Sequence, residues 1–344
     1  MALQVGIVGA GRAATRRARQ LEAYSDVRIT AVADPNRPAR DAFASTFGPE
    51  LSVSDYNRLV LDESVDLVLI ASPPPTHSAI ALAAFEVGKH VICEAPISTT
   101  VSDAREMIKA SQESSGRFFV SLPQRYDPVS QEALRLIDND ELGYVYLATG
   151  SLIRNDYDRL NDWHDWKGTW DKGGGGILME CGSEMIDLYH YLIGEIAAVS
   201  AICTRFAIEP LHKAEDSCLL GLEFLDDISA ELALTGAARF SAWPPDYSGS
   251  AMHMEVYGLE GALRITSPPS RLSVSLKGGR TYELSAEDIK TDQPTDMLRD
   301  FLDCIFEDRD PLVHAGHALT ALTVLLAAYK SSQMKRRVEL LEEV

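Results

Sequence analysis

Along the first 125 residues, short apolar runs alternate with segments of helical period. LQVGIVGA, residues 3–10, is a β-branched run that ends at glycines, and a helix is predicted through Arg16 to Glu22. VRITAVAD ends at Asp34 and leads to a helix around Arg37 to Thr46. VDLVLIAS ends at Ser72, HSAIALAAFEVG is helical, and KHVICEAP is the next strand. A helix over 101–114 and the strand in FFVSLPQRY complete the series. Strands apolar throughout, alternating with helices, predict a parallel sheet covered on both faces.

The rhythm changes near residue 125. A helix from Val129 to Ile137 leads to YVYLATGSLIR, a longer alternating strand. An aromatic segment, a glycine run and a helix from Leu178 to Ile193 follow. Ala197 to Leu284 alternates with period two between turn residues, which predicts an antiparallel or mixed sheet. Helices around Thr295–Phe306 and Gly316–Lys335 close the chain. The expected organisation is α/β: a doubly wound parallel domain over 1–124 and an α+β domain with an open, mostly antiparallel sheet over 125–344. The closing helices are free to pack back on the first domain.

Composition narrows the function. At 344 residues the chain is long enough for two cores. A net charge of −19 repels phosphate backbones and anionic membranes, so nucleic acid and membrane partners are not expected. The 5 cysteines are an odd, scattered set with no CxxC pair, which argues against a disulfide framework or a structural zinc site. With no signal-like start and no apolar run of spanning length, the expectation is a cytoplasmic protein.

GIVGAGRAA has the form G-x-G-x-x-A between a strand and a helix, the dinucleotide fingerprint in its proper context. Gly9 makes the tight turn, Gly11 lets the main chain approach a pyrophosphate at the helix start, and Ala14 allows close helix–strand packing. Arg12 and Ala13 belong to the same turn. Asp34, at the end of the next strand, is placed to bind a ribose 2′-hydroxyl, which favours NAD. Arg37 and Arg12 could offset the carboxylate and admit NADP. Ser72, Pro73 and His77, in SPPPTH, and Glu94, in CEAP, end later strands and are assigned to the nicotinamide side, although His77 reads equally well as a helix cap.

In these motifs the chain resembles the Gfo/Idh/MocA family of nicotinamide-dependent oxidoreductases, which act mainly on sugars and inositols. The resemblance runs nearly end to end: GIVGAGRAA, AVADPN, ASPPPTH, CEAPIS for the family's E-K-P, QRYDP for R-F-x-P, and WKGTWDKGGGGILMECGSEMIDL for W-R-G-T-W and G-G-G-x-L-x-D-x-G-x-H-x-x-D-L. GLEGALRI and PLVHAGHALTALTVLLAAYKSS also fit. It implies a Rossmann domain, a second α/β domain, a sugar or polyol substrate, and homo-oligomers built through the second sheet. The departures fall on the chemistry: Ala95 stands for the family's lysine, Glu180 for its aspartate and Glu184 for its catalytic histidine.

Glu180 and Glu184 are one helical turn apart and share a face. Three readings stay open. Glu184 could act as base with Glu180 raising its basicity by like-charge repulsion. The pair could hold a divalent cation with His164 or Asp165. Or they could form an ordinary acidic helix start, with Glu184 paired to Lys167 or Arg125. His164 is the nearest candidate to replace the missing histidine; Arg125, Tyr157 and Trp163 are the candidate substrate contacts, while Trp166 and Trp170 read as packing. Beside net dehydrogenation, two other functions fit: an enzyme that retains NAD and uses transient oxidation for elimination, epimerisation or glycoside cleavage, and a dinucleotide-binding protein without turnover.

Overall fold

The computed structural model describes residues 2–160, 166–206, 214–238 and 250–340. The chain divides into two compact units, Met1–Leu122 with Asp296–Leu319, and Pro123–Thr295 with Thr320–Val344.

The first unit is a parallel sheet wound with helices. Its elements are β1 (Leu3–Val8), α1 (Arg12–Leu21), β2 (Val27–Ala33), α2 (Arg37–Phe47), β3 (Leu51–Val53), α3 (Tyr56–Val60), β4 (Leu67–Ile70), α4 (His77–Glu86), β5 (His90–Cys93), α5 (Val101–Glu113) and β6 (Phe118–Val120). The six strands lie in the order β3-β2-β1-β4-β5-β6, all parallel. Order reverses between β1 and β4, so the carboxyl ends of these two strands open the crevice where such sheets bind ligands. All four residues of β4 are buried, because helices cover both faces and leave no room for alternation. β3 and α3 are absent from the sequence-based series; at three and five residues they are too short to carry a period.

In the second unit, α6 (Pro128–Asp138), β7 (Val145–Arg154), α7 (Tyr157–Leu160), α8 (Trp170–Gly173) and α9 (Ile177–Leu192) precede a run of strands. These are β8 (Ile196–Thr204), β9 (Ser217–Phe224), β10 (Ser229–Thr235), β11 (Ser250–Gly258), β12 (Gly261–Ser267), β13 (Arg271–Leu276) and β14 (Arg280–Ser285). α10 (Met297–Glu307) returns to the first unit, where Phe301 stacks on Phe119 of β6 at 4.7 Å. α11 (Ala315–Met334) and the two-residue β15 (Val338–Glu339) end the described chain.

The second sheet has nine strands in the order β14-β13-β12-β11-β7-β10-β9-β8-β15. Among the described residues, only β7 and β10 pair in parallel; the other pairs are antiparallel. β9 alternates buried and exposed residues, so one face meets the core and the other is open. Core-facing Leu220, Leu222, Leu232 and Met254 pack in one cluster with Ile186 and Tyr189 of α9 and Leu325 of α11. The apolar burial that holds α9 against the sheet also fixes the carboxylates of its first turns.

Candidate active site

Main chain builds the crevice of the first unit. Gly9 has φ +101°, and a Cβ there would meet the carbonyl of Ala71 at 2.6 Å, so only glycine fits the turn. Gly11 differs: its φ is −80° and a Cβ would meet nothing within 4 Å. Nothing in the chain requires glycine at that point, and the open space beside the start of α1 suits an approaching phosphate. Ala14 is fully buried against the sheet. A groove of about 700 Å³ runs past Ala10, Gly11, Arg12 and Thr15 to Arg16 and Arg19, and its three guanidinium groups favour an anion.

Asp34 closes the other side. Its Oδ2 accepts from the Ala10 amide at 2.7 Å, its Oδ1 from the Asn36 amide at 2.7 Å, and its carbonyl from Arg40 at 2.5 Å. The carboxylate therefore locks the glycine turn to the β2–α2 loop and retains lone pairs for a ribose hydroxyl. These residues fit a dinucleotide. Arg37 lies away from this arrangement: its side chain is 82% exposed and pairs with Asp41 along α2.

Two of the residues expected on the nicotinamide side have partners within the chain. His77 is buried rather than ligand-facing, with Nε2 2.9 Å from the Ser72 carbonyl and Nδ1 3.0 Å from the Pro96 carbonyl. Burial lowers its pKa and favours the neutral ring, which sits between the turns after β4 and β5 with one N–H to donate to one of the two carbonyls. Glu94 turns onto α1, where Arg17 forms a close ion pair with it and Arg16 lies 3.9 Å away. Ser72 and Pro73 remain at the carboxyl end of β4, and the Ser72 hydroxyl hydrogen-bonds that of Thr76 at 2.7 Å.

In the second unit, the glycine run brings the chain into α9 through Gly174 at φ +76° and Gly175 at φ +158°. At Gly176 a Cβ would collide with the Glu215 carbonyl, so the run passes tight against the residues that lead into β9. α9 has no side-chain cap of its own. Glu215 supplies one: its Oε1 accepts from the amides of Gly176 at 3.1 Å and Leu178 at 3.0 Å, and from the Tyr329 hydroxyl at 2.7 Å. Burial raises the Glu215 carboxyl, against the pull of these hydrogen bonds.

Glu180, in the first turn of α9, sits among cations. Arg154, at the end of β7, reaches Glu180 Oε1 at 3.0 Å and Cys181 Sγ at 3.0 Å, while its Nε pairs with Asp156 at 2.7 Å. Lys167 Nζ is in direct contact with the same Glu180 oxygen, and both side chains are 11% exposed. Lys167 also lies 5.6 Å from the centre of the Trp166 ring. Burial works against the Arg154 charge, but Cys181, Asp156 and Glu184 outweigh it and raise the pKa. Lys167 is pushed down to about 7, first by burial and then by Arg159 and Arg154. Burial raises the Cys181 thiol, which fits a packing role.

The pairings differ from the expected ones. Lys167 contacts Glu180. Arg125, expected at the substrate, is buried and grips Asp187 with two bonds of 2.9 and 2.7 Å, its guanidinium 4.9 Å from the Tyr191 ring centre. It anchors α9 to the segment before α6. Repulsion between Glu180 and Glu184, the basis for making one of them a base, is offset by the cations interleaved with them. Tyr157 opens α7 and is half-buried; Trp170 packs edge-on against Tyr329 at 4.8 Å. Trp163, His164 and Asp165 lie outside the described residues. Arg154 and Asp156 went unnoticed in the sequence. Lys167 carried a signal, since it is the position where WKGTW departs from W-R-G-T-W.

Known proteins share this architecture. Levoglucosan dehydrogenase in complex with NADH superposes with a TM-score of 0.87 at 20% identity, covering 99% of each chain. The myo-inositol 2-dehydrogenase of Thermotoga maritima is 25% identical over 355 residues, 99% of each sequence. The levoglucosan dehydrogenase of Pseudarthrobacter phenanthrenivorans is 29% identical over 178 residues, 52% of this chain and 46% of that one. Residues 3–122 match the NAD-binding Rossmann fold of the Gfo/Idh/MocA oxidoreductases and residues 135–340 their C-terminal alpha/beta domain, so the chain belongs to that family.

Proposed function

We propose that this protein is an NAD-dependent oxidoreductase that interconverts a secondary alcohol and a ketone on a sugar, inositol or related polyol. The observation that carries the reading is the largely buried cluster of Glu180, Lys167, Arg154 and Asp156 with Glu184 one helical turn on. Alternating donors and acceptors at hydrogen-bonding spacing suit a ligand with several adjacent hydroxyls, and partial burial strengthens each bond. Gly9, Gly11, Arg12, Ala13, Ala14 and Asp34 would hold the dinucleotide; Asp34 favours NAD, because a carboxylate there opposes a 2′-phosphate. When bound, the dinucleotide supplies the two-electron acceptor that takes the carbinol hydride. The named relatives, which are dehydrogenases of inositols and sugars, support the substrate class.

The test is absorbance at 340 nm with purified protein, NAD or NADP, and a panel of sugars, inositols and sugar acids. Growth with one substrate establishes net dehydrogenation. Binding of NAD without growth for any compound overturns the reading in favour of internal redox or a non-catalytic binding role.

The open face of the nine-stranded sheet, with the paired Leu219 and Ile202 exposed, supports self-association. An odd set of cysteines with no CxxC pair supports a reducing, cytoplasmic setting. Among the described residues, no helix is long and apolar enough to cross a membrane.

A further inference from the structure

A dehydrogenase of this family pattern needs a group that exchanges a proton with the substrate hydroxyl, and the usual positions hold Ala95, Glu180 and Glu184. We propose that Lys167 is that group: its amine takes the hydroxyl proton during oxidation and returns it during reduction. The proposal rests on the dehydrogenase reading above and names the proton carrier at that site.

Position argues for it first. Lys167 precedes Gly168, which has φ +76°, and the turn delivers its Nζ onto Glu180 of α9. Glu180 fills the family's aspartate position one turn before the vacated histidine position. An amine brought there from the WKGTW segment supplies, beside the position of the histidine lost at Glu184, a basic group that the usual positions no longer carry.

Environment argues for it second. Among the described residues, the charged and titratable groups around Lys167 include Arg154 from β7 with Asp156 just beyond it, Arg159 from α7, and Glu180 and Cys181 from α9. Burial and the two guanidinium groups disfavour the ammonium form, bringing its pKa to about 7. Glu180 in contact with it fixes the orientation of the amine and favours the charged form once the proton arrives. A lysine poised between its two forms near neutral pH is suited to general acid–base work, whereas an ordinary lysine stays charged.

The proton balance is simple. The substrate O–H bond breaks and an N–H bond forms at Lys167, while the carbinol C–H leaves as hydride to the dinucleotide oxidant, giving a carbonyl and an ammonium. Release of that proton to solvent resets the amine. Arg154, whose guanidinium stays protonated, cannot take this part and serves to hold Glu180 and Asp156 in place.

Two measurements test it. Protein labelled with 13C-lysine is titrated from pH 5 to 11, and the Lys167 ε-carbon signal is assigned by its loss in Lys167→Arg. A midpoint near 7 is expected; a midpoint near that of solvated lysine overturns the proposal. In parallel, turnover of the best polyol is compared in wild type, Lys167→Arg and Lys167→Ala, with NAD binding measured to show that the fold survives. Both variants should lose about 10²-fold or more in kcat, and Lys167→Ala should regain turnover with added methylamine or ethylamine, which a structural role would not permit. Wild-type kcat and an unchanged pH profile in Lys167→Arg, or Lys167→Ala left without rescue, overturns this inference alone. A wild type that turns over no polyol brings down the dehydrogenase reading as well, so the two failures are distinct.

Discussion

In the first unit the ligand cradle is made of main chain: the Gly9 turn, the open approach at Gly11, and the amides of Ala10 and Asn36 held by Asp34. In the second unit the candidate site is made of side chains, Lys167, Arg154, Glu180 and Glu184, delivered by a turn, a strand and a helix that are distant in sequence. Main-chain sites depend on conformation, so glycines at fixed spacing are nearly obligatory and persist wherever the ligand does. Side-chain sites depend on charge and reach, which several residue combinations can satisfy. A charge absent from one position can be supplied from another element, while the cradle has no comparable freedom.

The largest expected effect tests how α9 is held. Arg125→Ala leaves Asp187, 1% exposed, charged and unpaired, and is expected to cost about 3–5 kcal/mol in urea denaturation. A raised KM with unchanged stability would return Arg125 to the substrate.

The next comparison lies within the cradle. Gly9→Ala should destabilise the first unit by about 1–3 kcal/mol, because its positive φ and its approach to Ala71 admit no side chain. Gly11→Ala should leave thermal stability within about 0.5 kcal/mol, since a Cβ there has open space, yet weaken NAD binding about tenfold or more in a fluorescence titration. Equal effects at the two glycines would show that Gly11 serves the fold rather than a ligand.

Glu215→Gln probes the cap of α9 and should cost about 1–2 kcal/mol. It also predicts a pH dependence. Burial raises the Glu215 carboxyl above its ordinary 4.5, so the folded state keeps the proton to higher pH than the unfolded chain does. Stability from this group is complete below 4.5 and is lost as pH rises through the higher folded value. Denaturation midpoints across pH should show this slope in wild type and a flatter one in Glu215→Gln.

The smallest effect is expected at Arg37. Its exposed pair with Asp41 is worth less than about 0.5 kcal/mol, and Arg37→Ala should leave the preference for NAD over NADP within about twofold. A larger change would place Arg37 at the ribose.

Much of this protein can be read directly from its residues. Continuously apolar strands such as VDLVLIAS announce a sheet buried on both faces, and period-two stretches announce the half-open second sheet, because burial imposes those periods locally. The glycine fingerprint and Asp34 were legible for the same reason: a tight turn and a nearby carboxylate are short-range requirements. Tertiary structure alone decided who pairs with whom. It set Lys167 on Glu180, Arg125 on Asp187, and Glu215 on the start of α9, contacts that span 13, 62 and about 39 residues. It buried His77 between two carbonyls, and it placed Cys203 opposite Cys218 across β8 and β9, although the cysteines look scattered along the chain. Charge and hydrogen-bond partners are chosen by proximity after folding, and sequence spacing does not encode them.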